Sequence, residues 1–451
     1  MPHARIELAS LPEVVRHIAA RLHAAGGSLW LCGGTVRDLL LGRTPRDFDI
    51  ATDVLPQAVA ALCPEVDARD ARFGVCRWPG EPEVSITTLR REAGYHDRRR
   101  PDHVEFVRDV AIDARRRDFT VNALYLDLAT GAVVDPVQGR CDLEQRRLAT
   151  IGDPAVRFAE DPLRLLRLVR FAARLGFTID PATAAAATAA APDLRSLAVE
   201  RVFDELTQAF TGEGRAAALR TFVALGQAAV LLPEVAAMDG VPQSPEHHPE
   251  GCVLTHTALV LQHVPAGDPV LAWSAVLHDI GKPPTFVRGP DRIRFDGHDV
   301  LSAQMADALL DRWHAPNDLR LAVVDVVRDH IRFASVPGMR PRRLERWLRS
   351  PGFAQHLAFH RADCLGSHGR LDIHDFAAAA LAALPPARPR LCSGADVLAL
   401  GVPAGPAVGE LLQALELRLD EAPMALDRDA ALVLLRELVR SFHQDRGPEA
   451  R

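Results

Sequence analysis

Two aspartates separated by one residue are the first side chains in this sequence that could carry chemistry. Asp47 and Asp49 flank Phe48, and the alternation of a strand would place both carboxylates on one face. Two acidic groups about 7 Å apart along a strand repel each other unless a cation lies between them. Oxygen ligands of this kind suit Mg²⁺, which also takes ligands from substrate phosphates. For an isolated acidic pair, a solvated strand end is the alternative explanation.

A glycine turn upstream predicts a phosphate site beside the two carboxylates. The apolar run at residues 29–32 leads into Gly33 and Gly34 and then into a helix-like segment that carries Arg37. Glycines let the backbone approach a ligand closely, and a helix N-terminus presents free N–H groups to an anion. Arg37, one turn into the helix, would add a fork of donors for phosphate oxygens. The combination therefore favours a metal-dependent nucleotide site over a solvated strand end.

The stretch from Leu31 to Asp53 resembles the nucleotidyltransferase superfamily of the polymerase-β type. Within that superfamily it is similar to the bacterial tRNA CCA-adding enzymes and poly(A) polymerases. A second segment, RRDFTVNAL at residues 116–124, matches the RRD-F-T-x-N-A motif of the same family. The resemblance implies that the carboxylates of Asp47 and Asp49 hold two Mg²⁺ ions. It also implies that the nucleotide triphosphate is contacted by Gly34, Arg37 and Arg117. It also implies that Asp118 fixes the arginines and that Asn122 fixes the turn.

The third carboxylate of the superfamily is missing from its usual position. Residues 84–89 alternate like a strand, and the position at which relatives carry the acid is Ser85, with Glu83 two residues earlier on the same face. A serine cannot replace an ionised ligand. Three alternatives follow: Glu83 reaches the metal through a shifted register, the two aspartates and water suffice, or activity is weakened.

An arginine-rich segment at residues 160–174 predicts one helix, with Pro162 in its first turn. Its charged side chains recur at steps of three and four and so share a face: Asp161, Arg164, Arg167, Arg170 and Arg174. On spacing alone, a solvated stripe opposite an apolar core explains them equally well. The segment resembles the family motif E-D-x-x-R, which implies that Asp161 and Arg164 recognise the base and that Arg167 and Arg170 support base and phosphates. Because C and A both present an amine beside a ring-nitrogen acceptor, one carboxylate and one guanidinium would accept both and reject U and G.

Histidines and aspartates in the second half of the chain follow the order H, HD, H, H, D. This order resembles the HD superfamily of metal-dependent phosphohydrolases, which implies a metal centre built from six residues: His256, His278, Asp279, His298, His330 and Asp363. Such ligands suit Ni²⁺, Mn²⁺, Co²⁺ or Zn²⁺, which could activate water against a phosphoester. Lys282, the only lysine in the chain, would contact a phosphate as a compact charge. The alternative is a metal-free helical body.

Composition restricts the class of protein. A chain of 451 residues with 48% hydrophobic and 25% charged residues predicts a globular protein of more than one domain. We expect a cytoplasmic protein, because no apolar run reaches membrane-spanning length and the N-terminus lacks a signal-peptide pattern. The seven cysteines are scattered without CxxC spacing and predict reduced thiols. A net charge of −6 does not exclude RNA.

We therefore predict an α+β fold in four parts. A polymerase-β-like nucleotidyltransferase head is expected at residues 1–140 and an all-α neck with the base-recognition helix at 141–235. An HD-type body at 236–375 and a helical tail at 376–451 would follow, and the family's tail contacts the tRNA acceptor stem. The predicted reaction transfers CMP and AMP from CTP and ATP to the 3′ end of tRNA. No membrane and no obligate protein partner is implied.

Two further members of the same family and one other class of protein remain as alternatives. Residues 90–101 resemble the flexible loop with which CCA-adding enzymes switch from adding C to adding A, so a CCA-adding or an A-adding enzyme is favoured. A poly(A) polymerase is disfavoured, because residues 70–75 lack the basic stretch of those enzymes. The last alternative, an RNA-binding protein with reduced catalysis, has only Ser85 in its support.

Overall fold

The computed structural model describes residues 8–93, 103–246, 248–290, 292–384, 390–422 and 427–445. The chain divides into two compact units. The first comprises Met1–Arg328 with Ala362–Gly369, and the second comprises Asp329–Arg361 with Arg370–Arg451. The division into four parts at residues 140, 235 and 375 stays a prediction.

Most of the strands lie within the first third of the chain. In chain order the strands are β1 (Leu29–Cys32), β2 (Asp47–Thr52), β3 (Val75–Trp78), β4 (Glu83–Thr88), β5 (Arg90–Ala93), β6 (His103–Phe106), β7 (Tyr125–Asp127), β8 (Val133–Val134), β9 (Arg147–Leu148), β10 (Thr178–Ile179), β11 (Val287–Arg288) and β12 (Ile293–Arg294). Six of them form one sheet in the order β3-β4-β2-β1-β7-β8. The segment at residues 90–101, predicted as a loop, begins as β5, which pairs with β6; residues 94–102 lie outside the described part of the chain.

Helices dominate the remainder. Those of the first half are α1 (Glu13–Ala24), α2 (Gly34–Leu40), α3 (Pro56–Leu62), α4 (Val110–Ala114), α5 (Gly139–Glu144), α6 (Pro154–Glu160), α7 (Leu163–Leu175), α8 (Pro181–Ala190), α9 (Val199–Thr211), α10 (Arg215–Ala224), α11 (Gln227–Leu231) and α12 (Pro233–Ala236). Those of the second half are α13 (Val253–His263), α14 (Pro269–Leu277), α15 (Lys282–Thr285), α16 (His298–Arg312), α17 (Asn317–Asp329), α18 (Pro341–Leu348), α19 (Phe353–Leu365), α20 (Asp372–Ala382), α21 (Gly394–Ala399), α22 (Pro406–Glu421) and α23 (Arg428–Asp445). A sheet-bearing head followed by helices confirms the predicted α+β class.

Strand β2 lies inside the sheet, between β1 and β4, and its alternation follows the sequence pattern. Phe48 and Ile50 are buried, whereas Asp47 is exposed and Asp49 is half-buried. Strand β4 runs parallel to β2, with Glu83 opposite Asp47 and Ser85 opposite Asp49. The buried apolar side chains hold the strand in one register, because a slip of one residue would exchange its two faces.

The helix predicted for residues 160–174 is α7, which begins at Leu163, three residues later than predicted. Helix α6 ends at Glu160, and Asp161 has extended backbone angles (φ −145°, ψ 101°). The start is later because Pro162 disfavours helical angles in the residue before it. Helix α7 buries Leu165, Leu168 and other apolar residues, and it packs against α9 and α10.

The second unit contains two separate apolar cores. One is formed around Phe333, Trp347 and Phe353, and the other joins α21, α22 and α23 through residues such as Val397, Leu415 and Leu435. Across the described residues, every helix is too short or too polar to serve as a membrane span.

Candidate functional site

A cavity of about 490 Å³ is lined by the turn between β1 and α2, by the start of β2 and by α7. Its wall contains all nine residues that the sequence assigned to the nucleotide site: Gly34, Arg37, Asp47, Asp49, Arg117, Asp161, Arg164, Arg167 and Arg170. Gly33, Arg116, Asp118, Asn122, Phe171, Arg174 and Gln208 complete the wall. Motifs from four separate stretches of sequence therefore meet in one place. The roles assigned to these residues stay predictions.

Gly33 makes this close assembly possible. It joins β1 to α2 with φ 66° and ψ −137°, a conformation that only glycine adopts at little cost. A Cβ atom at this position would lie 3.1 Å from Nη1 of Arg117 and 3.3 Å from Oδ2 of Asp49. A side chain here would therefore push apart the cationic and acidic walls of the cavity.

The two predicted metal ligands differ in their surroundings. Burial raises the pKa of the Asp49 carboxyl, and this increase is partly offset by the Ser85 hydrogen bond and by the charge of Arg117. The Ser85 hydroxyl donates a hydrogen bond of 2.5 Å to Oδ1 of Asp49. Because the neighbouring Asp47 carboxylate adds repulsion, a divalent cation between the two would relieve an unfavourable arrangement, and the donor set fits Mg²⁺.

Ser85 thus orients Asp49, a predicted metal ligand. Glu83, the other candidate for a third acid, is exposed at the start of β4 and is not part of the cavity wall formed by the described residues. Which of the three sequence-based alternatives holds stays open.

Asp113 organises the cationic wall, and the sequence analysis missed it. Its carboxylate pairs with Nε of Arg116 at 2.7 Å and Nη2 of Arg117 at 3.2 Å, and it accepts a hydrogen bond from the Tyr125 hydroxyl at 2.7 Å. Burial alone would raise the pKa of Asp113, but the two guanidinium groups outweigh burial and lower the pKa. The spacing of Asp113 three and four residues before the arginines is the signal that could have identified it.

Asp118 fixes Arg167 of α7, a residue far from it in the sequence. Nε and Nη2 of Arg167 lie 2.9 and 2.7 Å from Oδ2 of Asp118, and Nδ2 of Asn122 donates to Oδ1. Asn122 in turn accepts from Nη1 of Arg37 at 2.6 Å. The RRD-F-T-x-N-A segment therefore connects the glycine turn to α7.

We expect the variant Asp118→Asn to be less stable than the parent at neutral pH. Burial opposes ionisation of Asp118, but Arg167 prevails and the pKa falls to about 2. A folded-state pKa below the ordinary value means that the stabilisation is complete above about pH 4 and is lost as the pH falls toward 2. The difference corresponds to about 2 kcal/mol. Urea unfolding at pH 7 and at pH 3 should show a destabilisation that shrinks at the lower pH; an equal loss at both would contradict the explanation.

The Phe171 ring supports three guanidinium groups. Arg37, Arg167 and Arg170 each place Cζ within 5.5 Å of the ring centroid. An aromatic face attracts a cation without neutralising it, so the ring adds a contact for these arginines beside the carboxylates that pair with them, Asp38, Asp118 and Glu205. The sequence analysis assigned no role to Phe171 and missed this contact.

The two residues assigned to base recognition are both held by protein contacts. Arg164 is buried and donates to Oε2 of Glu160, to the Arg157 carbonyl and to the Arg116 carbonyl. Oδ1 of Asp161 accepts from the Leu163 amide. These contacts use part of each group and fix its direction at the cavity wall, as a rigid template requires.

A second cluster lies in the first unit, and four predicted ligands converge there. Nε2 of His256 lies 3.2 Å from Nε2 of His278 and 3.1 Å from Oδ1 of Asp363. Oδ2 of Asp279 lies 3.1 Å from Nε2 of His278 and 3.7 Å from Nε2 of His256. Burial lowers the pKa of His256, but Asp363 and Glu250 outweigh burial and raise the pKa to about 9. Two nitrogens facing each other between carboxylates form a set of donors that a divalent metal would satisfy.

The other predicted members of this cluster have different positions. Nε2 of His298 lies 3.6 Å from Oδ1 of Asp279. His330 belongs to the second unit, where its ring meets the Phe359 ring edge-on, and its role as a ligand stays a prediction. Nζ of Lys282 lies 2.7 Å from Oδ2 of Asp279 and 2.6 Å from Oε1 of Gln243. The lysine therefore neutralises a ligand as well as facing the cluster.

Comparisons with known proteins match two segments in the first half of the chain. Residues 29–149 match the family described as poly A polymerase head domain, and residues 176–238 match the probable RNA and SrmB-binding site of polymerase A. The CCA-adding enzyme of Levilactobacillus brevis is 42% identical over 212 residues, which are 46% of this chain and 53% of that protein. The one from Lactococcus lactis subsp. lactis is 39% identical over 215 residues, 46% of this chain and 54% of that protein. The chain thus spans about half the length of the curated relatives that it matches.

Solved structures extend the similarity to nearly the whole chain. The CCA-adding enzyme of Bacillus stearothermophilus in complex with CTP is 26% identical, with a TM-score of 0.70 over 96% of this chain and 98% of that one. The Thermotoga maritima CCA-adding enzyme complexed with tRNA is 16% identical, with a TM-score of 0.56 over 97% and 98% of the two chains, and shows the fold alone. The chain therefore carries a segment of the poly A polymerase head domain family and is similar to CCA-adding enzymes, as its motifs predicted.

Proposed function

We propose that this chain is a tRNA nucleotidyltransferase that adds CMP and AMP from CTP and ATP to the 3′ end of tRNA. One observation carries the proposal: an acidic pair and a wall of arginines face each other across a cavity large enough for a nucleotide. The relatives named as CCA-adding enzymes support the same reaction. We place the protein in the cytoplasm, where its tRNA substrate would be.

The arginines of the cavity suit a triphosphate. Seven of them line it: Arg37, Arg116, Arg117, Arg164, Arg167, Arg170 and Arg174. Asp113 and Asp118 fix three of these guanidinium groups, those of Arg116, Arg117 and Arg167, so these donors are in place before a nucleotide arrives. Preorganised donors of this kind lower the entropic cost of aligning a phosphate with an attacking hydroxyl.

Asp47 and Asp49 would hold the metal. Nucleotidyltransferases of this family use divalent metals, generally Mg²⁺, and two bound ions would stabilise charge on the attacking and leaving oxygens. In this chain Ser85 fixes the Asp49 carboxylate by its hydrogen bond. Gly33 leaves room for that carboxylate beside Arg117.

Selection of the base would fall to Asp161 and Arg164, and we expect Asp161→Ala to weaken it. Losing the partner of a polar base edge costs about 1–3 kcal/mol, so preference for CTP and ATP over UTP and GTP should fall about 10- to 100-fold. The measurement is kcat/KM for the four nucleotides. Asp153→Ala is the matched control, because Asp153 also accepts a backbone N–H at a helix start but does not line the cavity. Unchanged preference in Asp161→Ala would place base recognition elsewhere.

The proposed reaction is tested by supplying each nucleotide separately to tRNAs that lack one, two or three 3′ nucleotides. A CCA-adding enzyme should add two C residues from CTP to the shortest substrate and one A residue from ATP to the substrate ending in CC. Addition of A alone would identify an A-adding enzyme. Repeated addition of A to any RNA would identify a poly(A) polymerase. Binding without addition would leave an RNA-binding protein.

We propose a second activity, metal-dependent hydrolysis of phosphomonoesters or 2′,3′-cyclic phosphates, for the cluster of His256, His278, Asp279 and Asp363. Nε2 of His256 lies within 3.7 Å of a ligand atom of each of the other three residues, and this convergence is the observation that favours the activity. Ni²⁺, Mn²⁺, Co²⁺ or Zn²⁺ bound there would activate a water molecule against the phosphoester. Lys282 would limit the negative charge that a phosphate meets. A tRNA that ends in a phosphate offers no free 3′ hydroxyl, so this activity would prepare substrates for extension.

A further inference from the structure

Three histidines bring a ring nitrogen to the metal-ligand cluster. Two of them, His278 and His298, are oriented by a backbone carbonyl. Nδ1 of His278 lies 2.9 Å from the Ala275 carbonyl oxygen, and Nδ1 of His298 lies 2.8 Å from the Phe295 carbonyl oxygen. A carbonyl only accepts hydrogen bonds, so Nδ1 carries the proton in each ring. Nε2 therefore presents its lone pair on the side of Asp279.

Nδ1 of His256 lies near a different kind of group. Its Nδ1 lies 2.9 Å from Oε1 of Glu250, a carboxylate from the loop before α13. His256 is fully buried, and the Glu250 side chain is 7% exposed. Glu250 lies outside the family motifs of this sequence, and the sequence analysis missed it.

Glu250 is itself held from the opposite side. Nδ1 of His248 donates to the same Oε1 atom at 2.9 Å, and the His248 and His256 rings meet edge to face at 4.7 Å. Two imidazoles thus flank one carboxylate oxygen. His248 therefore holds the Glu250 carboxylate beside His256.

We propose that Glu250 is a positioning residue for the metal centre, which fixes the proton of His256 on Nδ1 and directs its Nε2 lone pair at the ion, and that His248 holds Glu250 in place. The inference rests on the proposed metal centre. A carboxylate behind a ligating histidine fixes the tautomer and makes the ring a stronger donor, and losing such a partner weakens metal binding about 10- to 100-fold.

The charge of the cluster supports a cation at this place. Asp279, Asp363 and Glu250 contribute three negative charges within a largely buried group, and Lys282 contributes one positive charge. Metal binding requires a neutral His256, and a divalent cation would then balance the remaining two charges. Glu250 therefore acts through orientation and through charge, and the two contributions can be separated by substitution.

The test is a titration of the full-length protein, stripped of metal with a chelator, with Co²⁺ alone. Glu250→Gln keeps the shape and an oxygen acceptor but removes the charge, whereas Glu250→Ala removes both. We expect Co²⁺ to bind about tenfold more weakly to Glu250→Gln and up to about 100-fold more weakly to Glu250→Ala. The visible absorption of bound Co²⁺ should also shift in Glu250→Gln, because His256 becomes a weaker donor.

Glu246→Gln is the matched control, an exposed glutamate of the same loop, and should bind Co²⁺ like the parent. The thermal unfolding midpoint of metal-free Glu250→Gln should equal that of the metal-free parent, which separates positioning from support of the fold. If the parent binds Co²⁺ and both Glu250 variants bind it equally well, Glu250 has no such role. If the parent binds no Co²⁺, the metal centre itself is refuted, and this inference with it.

Discussion

Replacing Asp49 by asparagine should reduce the rate of nucleotide addition by about 10³-fold or more. The amide keeps the size of the side chain but loses the charge that holds a divalent metal, and a catalytic metal contributes several kcal/mol to transition-state stabilisation. Asp47→Asn should have a similar effect, since both carboxylates line the cavity on one face of β2. Single-turnover incorporation of CMP from CTP into a tRNA lacking CCA measures this loss.

Binding of tRNA should survive both substitutions, because neither carboxylate attracts a phosphate backbone. Asp70→Asn is a suitable control: this aspartate belongs to the same head, its side chain is 54% exposed, and it lies outside the cavity wall. Near-normal addition by Asp49→Asn with unchanged Mg²⁺ dependence would show that the acidic pair does not hold the catalytic metal.

The head was the part most accessible to prediction. Short-range patterns determine it: the glycine turn needs the positive φ of Gly33, and the alternation around Asp49 needs one buried face. Both constraints act within a few residues, so the sequence shows them directly. The orientation of the cationic wall depends instead on pairings such as Asp118 with Arg167, 49 residues apart, which spacing along the chain does not reveal.

Two errors have local physical causes. Residues 160–174 have helical composition throughout, and only the backbone restriction before Pro162 separates α6 from α7. That break places Asp161 at the junction of two helices and still leaves it facing the cavity with Arg164. Asp113 was overlooked because acids in short helices are usually solvated, whereas this one is buried under Arg116, Arg117 and Tyr125.

The histidine cluster was predicted as an order of residues, and the structure adds the directions of the rings. Nothing in the sequence shows which ring nitrogen of His278 faces the Ala275 carbonyl. That contact leaves Nε2 of His278 opposite Nε2 of His256. In the metal-free protein a proton on His256, whose pKa is raised to about 9, joins the two nitrogens. A bound metal would have to replace that proton.

The double variant His278→Ala, Asp279→Ala should lose metal-dependent phosphohydrolysis by about 10³-fold or more, to the level of the metal-stripped parent. It removes two of the four converging ligands, and the remaining pair cannot hold a metal that activates water. The assay uses 2′,3′-cyclic AMP and a generic phosphomonoester, with the stripped protein reloaded in turn with Ni²⁺, Mn²⁺, Co²⁺ and Zn²⁺.

The same preparation should add nucleotides to tRNA at the parent's rate, because the substituted residues line no part of the nucleotide cavity. His263→Ala is the matched control for the histidine, since His263 ends α13 away from the converging ligand atoms of the cluster. Hydrolysis lost with addition retained would establish two separable sites in one chain. Parent protein that hydrolyses neither substrate with any of the four metals would reduce the cluster to a buried ion-pair network, whose role is then to hold α13 and α14 together.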